Sequence, residues 1–366
     1  MISEQRRTPR SPEDPIVTPI RTKLTRRHAL MGASAVALAA ALPASAAAPV
    51  EQAAIEIAGV RDPQLGAQLS VAQQLGYFKD EGLDATVHWN QSAADVLTLM
   101  GGGSQHIGAG GTFTQVVLSG QHLPVRTIAA LADIAATQGF ALSPGVKLAS
   151  PRDLEGKKLA FTQGNSQVLI LAKLAKIYGF DMSRVTLVNM NPSEGVVAAS
   201  KGDVQGLLGW QPNLYRLVAM GGTMYATGTT SYVDGTAHEL PFDDRFQFNH
   251  SVLLASDDWI ANKPNTLRAV LRALLRADAL IAKDRPAALA AMQSVLKIDP
   301  DALKVMTDAN KYGISVTPSL ARSIDFVSDW AMSIKRIPSA VAPKEALAPA
   351  LLASVDPALV SWAPGA

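Results

Sequence analysis

The residues best placed to do chemistry lie in four short loops, each following an apolar run: Arg61-Asp62-Pro63-Gln64, Asn90-Gln91-Ser92, Gly111-Thr112-Phe113 and Thr162-Gln163-Gly164-Asn165-Ser166. Hydroxyl and amide side chains recur in them, and the last three loops run straight into helical patterns. The unpaired N–H groups of a helix N-terminus, with the positive end of its dipole, then face the space beyond the strands and favour a carboxylate, sulfonate or similar anion. Arg61 supplies a cation that could grip such an anion bidentately or pair with Asp62. Any one Ser, Thr or Asn here is equally well read as a helix cap; their recurrence at corresponding loops is what points to a ligand. Trp210 ends an apolar strand just before Pro212 opens a helix, so its ring reads as a wall of the same space. Phe113 fits wall and core equally, whereas Tyr77 and Phe78 read as bulk closing a helix onto a sheet.

Signatures of catalysis are missing from the chain. Neither G-x-x-x-x-G-K-[ST] nor H-E-x-x-H occurs, and Gly108-Ala109-Gly110 is not completed to a dinucleotide fingerprint because Phe113 takes the last glycine's place. Gly164-Asn165-Ser166-Gln167-Val168 lacks the second glycine of a nucleophile elbow. His88, His106, His122, His238 and His250 are scattered without i,i+4 pairing, which gives no reason to expect a metal. Cysteine is absent, which excludes disulfides, thiolate metal sites, cysteine nucleophiles and a lipidated N-terminal cysteine. No catalytic residue, cofactor or metal is expected.

These loops need elements to hold them, and the apolar pattern supplies an alternation. Ile55–Val60, Ala85–Trp89, Ile107–Gly110 and Val125–Leu131 read as strands, separated by helices over 65–75, 92–100 and after Thr112. The alternation restarts after Asp153, with strands at 158–161, 185–188, 206–208 and 223–225 and helices at 166–178, 193–200 and 212–220. Gln247–Ala255 reads as a strand and the remainder as helical, including 264–283 with Leu267, Val270, Leu271, Leu274 and Leu275 at helical spacing. Two α/β units imply two mainly parallel sheets, with a ligand beyond the carboxyl ends of their strands. The expected division is 53–141 with 248–366 in one lobe and 142–247 in the other, joined by two crossings near Phe140–Leu142 and Phe248–Asn249.

Residues 1–48 read differently. A Pro- and Arg-rich extension precedes Thr25-Arg26-Arg27, an apolar run of about fourteen residues and the small-residue signals Ala44-Ser45-Ala46 and Ala46-Ala47-Ala48. This is the pattern of a cleavable export leader, too short to stay as a span. The arginine pair with Leu30 resembles a twin-arginine signal, although Ala29 stands where Phe is usual and general secretion is the other route. Seven of the 33 basic and three of the 31 acidic residues lie in this segment, leaving 26 against 28, a formal net charge of −2. The basic balance therefore belongs to the leader, and neither nucleic acid nor a membrane surface is an expected partner.

Three blocks carry a family resemblance: GYFKDEGLDATV at 76–87, DLEGKKLAFTQGNS at 153–166 and GDVQGLLGWQP at 202–212. Together they resemble the periplasmic substrate-binding proteins for aliphatic sulfonates, taurine and nitrate, within the superfamily that also holds the thiamine-pyrimidine synthases. The resemblance implies an α/β, two-lobed fold of periplasmic-binding-protein type II with C-terminal helices. It also implies a soluble, monomeric periplasmic protein that hands a solute to an ABC permease driven by a cytoplasmic ATPase. Gln91, Ser92, Gly111, Thr112, Asn165, Ser166 and Trp210 match cleft positions; Arg61, Gln64, Phe113 and Thr162 join them from the loop reading. Thr112, Val168 and Asn213 stand where members tend to carry an acidic residue, His and Tyr, which leaves the solute open. Two other roles remain: a synthase-type enzyme, against which the missing cysteines and the leader argue, and a periplasmic sensor.

Overall fold

The computed structural model describes residues 48–163 and 166–364. All but the last residue of the expected export segment Thr25–Ala48 lies outside them, as does Asn165. Thirteen strands form among the described residues: β1 (Ala54–Val60), β2 (Asp84–Asn90), β3 (Ile107–Gly111), β4 (Val125–Asp133), β5 (Gln138–Leu142), β6 (Lys158–Phe161), β7 (Thr186–Asn189), β8 (Gly206–Trp210), β9 (Thr223–Thr227), β10 (Thr230–Ser231), β11 (His238–Glu239), β12 (His250–Ser256) and β13 (Lys311–Ser315). They build a six-stranded sheet, β13-β4-β12-β3-β1-β2, and a seven-stranded sheet, β11-β10-β9-β5-β8-β6-β7.

Both sheets are mixed rather than mainly parallel. β1 pairs in parallel with β2 and β3, but β12 lies antiparallel between β3 and β4. In the second sheet β6 pairs in parallel with β7 and β8, and β5 lies antiparallel between β8 and β9. The order β2-β1-β3-β12-β4 thus recurs as β7-β6-β8-β5-β9. β5 and β12 are the strands that arrive from the other sheet. Each enters where the loops meet, at the carboxyl ends of the parallel strands, and so must run the opposite way. The first crossing is made between Asp133 and Gln138 through a turn at Ala135–Thr137, upstream of the expected Phe140–Leu142. β13 was hidden in a stretch read as helical, because KYGIS is short, half polar and confined to a sheet edge.

Helices α1 (Ala67–Gln74), α2 (Tyr77–Asp80), α3 (Ala93–Gly101), α4 (Thr112–Gly120), α5 (Val168–Tyr178), α6 (Pro192–Lys201), α7 (Asn213–Ala219), α8 (Asp257–Asn262), α9 (Pro264–Lys283), α10 (Arg285–Leu296), α11 (Pro300–Ala309) and α12 (Pro318–Ser333) flank the sheets. α9 buries Leu267, Val270, Leu271 and Leu274 of the stripe its spacing predicts, with Leu275 half-buried at its edge, and each full burial is worth roughly 1.5–3 kcal/mol. The Gly-Tyr-Phe block explains itself against this helix. Phe78 is core, Tyr77 lies 4.1 Å beneath the Arg276 guanidinium, and Glu81 pairs with Arg272 at 2.6 Å. A second core under α5 holds Phe140, Leu154, Leu159 and Ile170, and a third gathers Val196, Leu207 and Leu214. Among the described residues no helix is long and apolar enough to cross a membrane.

Candidate ligand-binding site

The loop after β1 reaches across to the second sheet. Gln64, buried, donates its Nε2 to the Gln211 carbonyl at 3.0 Å, just past β8. Its Oε1 accepts from Thr137 Oγ1 at 2.5 Å and from Gln138 Nε2 at 2.8 Å, at the start of β5. Gln138 Oε1 in turn accepts from Gln167, the residue before α5. Next to Gln167, Ser166 Oγ accepts from Gln247 Nε2 at 2.5 Å, so the second crossing is tied in as well. A neutral cluster of amides and hydroxyls therefore spans both sheets at their loop ends.

Helix ends around this cluster differ in what they offer. α3 is closed by its own capping box: Asp95 N–H donates to Ser92 Oγ at 3.4 Å, and Ser92 N–H to the Asp95 carboxylate at 2.9 Å. A carboxylate already sits at that terminus, so the expected anion-holding role of Ser92 is filled from within. Among the described residues α4 and α5 carry no side-chain cap and no acidic residue in the first turn. The first-turn N–H groups of α4 remain available to an anion, whereas at α5 the Leu169 and Ile170 N–H groups already donate to the Ser166 and Gln167 carbonyls at 3.0 and 3.1 Å, so α5 offers mainly the positive end of its dipole.

The other predicted residues fall into three groups. Gly111, Ser166 and Gln64 are buried around the cluster, and Trp210 is half-buried at the end of β8. Among the described residues Trp210 is in none of the three apolar cores, as a wall would be. Thr112 is not the cap of α4; Gly111 is, and Thr112 Oγ1 exchanges hydrogen bonds with the His250 backbone, donating to O at 3.2 Å and accepting from N at 3.0 Å. Phe113 packs on Trp330 with ring centres 5.2 Å apart, and Thr162 donates to the Met190 carbonyl at 3.1 Å. Gln91 is exposed. Arg61 does not pair with Asp62: it is exposed and donates to the Val295 carbonyl at 3.2 Å, beside the end of α10. Asn165 is outside the described residues. Across the sheet from these loops, a separate cavity of about 320 Å³ opens at the amino ends of β1 and β2, beside Glu56, Gln105 and Trp259.

Sequence reasoning missed several members: Thr137, Gln138 and Gln247 lie in or beside the crossings rather than in helix-opening loops, and Gln167 lies one residue past the loop read at 162–166. Their charged neighbours are internally balanced. Arg245 pairs with Asp133 at 2.8 Å, both largely buried, under the rings of Phe242 and Phe248. Burial pushes the Asp62 carboxyl up to about 6, against the opposing pull of the Leu65 and Gln64 N–H groups it accepts from at 2.8 and 2.9 Å. Burial likewise holds His250 below the usual imidazole range, with Asp133 pulling it up and Arg245 pushing it down. Its Nδ1 lies 2.6 Å from Ser323 Oγ.

The family model described as NMT1/THI5 like matches residues 66–288, well over half of the chain. The chain belongs to this family. The matched span runs from the end of the loop after β1 to the start of α10, so it includes the cluster described above except Gln64. A taurine-binding periplasmic protein of Escherichia coli (strain K12) is 26% identical over 144 residues, 39% of this chain and 44% of that protein. A 4-amino-5-hydroxymethyl-2-methylpyrimidine phosphate synthase of Aspergillus parasiticus is 28% identical over 145 residues, 39% of this chain and 41% of the enzyme. The chain thus spans under half the length of the curated relatives it matches. The periplasmic aliphatic sulphonate binding protein SsuA from Escherichia coli superposes with a TM-score of 0.67 at 17% identity, covering 81% of this chain and 92% of SsuA. With the paired sheet orders, this establishes the two-lobed periplasmic-binding-protein fold.

Proposed function

We propose that this protein is an exported, periplasmic solute-binding protein that captures a small anionic organic solute between its lobes and delivers it to an ABC permease. The observation that carries the reading is the pair of open helix N-termini, α4 on one lobe and α5 on the other, on either side of a cluster that already links both lobes. A carboxylate or sulfonate between them receives backbone N–H donors from α4 and faces the positive end of the α5 dipole, while Trp210 supplies apolar contact to its carbon chain. Neutral amides complete the site, which suits binding and release better than bond breaking, so we read the protein as a binding protein rather than a synthase. The leader-like segment supports export, and the twin-arginine pair supports export in the folded state.

The test is a thermal-shift series with short-chain sulfonates and carboxylates against matched amines and sugars. Binding in the micromolar range, roughly 8 kcal/mol, raises the melting temperature in proportion to the logarithm of solute concentration. Stabilisation by at least one anionic class is the expected result. Stabilisation by neutral or cationic compounds alone contradicts the anionic reading.

A further inference from the structure

The second crossing carries a polar ladder that no loop motif announces. Gln247 and Asn249 lie just before β12 and Ser251 within it, at alternate positions of the second crossing, while Phe248 and His250 meet Phe326 and Ser323 on α12. Ser251 is the register partner of Gly111, and a side chain at Gly111 would come within 3.9 Å of Asn249 Oδ1. The ladder therefore borders the bare backbone that opens α4. At its other end Gln247 reaches Ser166 before α5. Both anion-favouring helix ends are joined by this one segment.

What the ladder leaves unpaired is informative. Among the described residues Gln247 Oε1 and Ser251 Oγ are buried with no hydrogen-bond partner. Buried polar groups in a folded protein are almost always paired, and an unmet acceptor costs about 1–3 kcal/mol. Two such groups on one crossing segment, beside the proposed site, call for a ligand that supplies hydrogen bonds. The Gln247 oxygen accepts only, so the ligand must bring a donor.

We infer that the solute carries, besides its anionic group, a hydroxyl or amide N–H that donates to the Gln247–Asn249–Ser251 ladder, which makes these residues the specificity determinants of the site. This rests on the anionic reading above and narrows it. A site built to hydrogen-bond a polar group rejects the analogue lacking it far more strongly than an apolar pocket rejects a missing methylene.

The test compares matched pairs by calorimetric titration: isethionate against ethanesulfonate, and succinamate against butyrate. For the wild type the hydroxyl or amide member of at least one pair should bind at least about tenfold tighter. Ser251→Ala removes a buried hydroxyl with no protein partner, so it should fold with a melting temperature at least as high as the wild type's and lose several-fold of that preference. Gln247→Leu should lose most of it, with circular dichroism reporting whether the variant is folded. Equal affinity for the two members of both pairs, or an unchanged preference in Ser251→Ala, overturns this inference alone. No binding of any of the four anions, together with a failed thermal-shift series, overturns the anionic reading and this inference with it.

Discussion

Gly228→Ala should cost about 3 kcal/mol of stability or more. Gly228 follows β9 and is held between the two crossings. Its N–H donates to the Ala135 and Gln138 carbonyls at 3.2 and 3.0 Å, and its carbonyl accepts from the Phe246 and Gln247 N–H groups at 3.0 and 3.2 Å. A Cβ there would sit 2.4 Å from the Ala135 carbonyl oxygen. The obstacle is backbone in a crossing, so relief requires one crossing to move and its hydrogen bonds to lengthen. Gly313→Ala is the matched control, since nothing lies within 4 Å of a Cβ at that position. Urea denaturation of both variants checks the difference. A Gly228→Ala protein as stable as the control would mean that the crossings are not clamped at this residue.

Trp210→Ala should weaken solute binding by about 1–3 kcal/mol while leaving the melting temperature of the free protein nearly unchanged. A ring packed in a core behaves the other way, because its removal leaves a cavity that costs 3–5 kcal/mol of stability, roughly. The half-buried ring stands at the end of β8, beside the Gln211 carbonyl that Gln64 grips, and outside all three apolar cores. Parallel titration and thermal melts of the variant separate the two roles. Lost stability with retained affinity would move Trp210 from the wall to the core.

The alternation of strands and helices was legible because buried strands such as Val125–Leu131 and amphipathic helices such as 264–283 write their burial into local pattern. The antiparallel placement of β5 and β12 was not. It depends on where the chain enters a sheet, which no local window contains. The same limit divides the site. Ser92, Thr112 and Arg61 were visible as polar residues at strand ends, yet their partners decide their roles: Asp95 closes α3, the His250 backbone occupies Thr112, and the Val295 carbonyl holds Arg61. Gln64 owes its role to Thr137, Gln138 and Gln211, all distant in sequence. The ladder did leave a trace: Gln247, Asn249 and Ser251 place polar residues at alternate positions of a buried segment that runs into β12, and buried polar groups need partners.

The proposed function requires that solute be held between two lobes joined by clamped crossings. Small-angle X-ray scattering of the protein, with and without a saturating anion chosen from the thermal-shift series, tests it most directly. Contacts made to both lobes at once favour the closed arrangement by their differential affinity for it, so the radius of gyration should fall on binding. Superimposable scattering curves at saturation, with binding confirmed by calorimetry on the same sample, would contradict closure and place the solute in a rigid pocket of a single lobe.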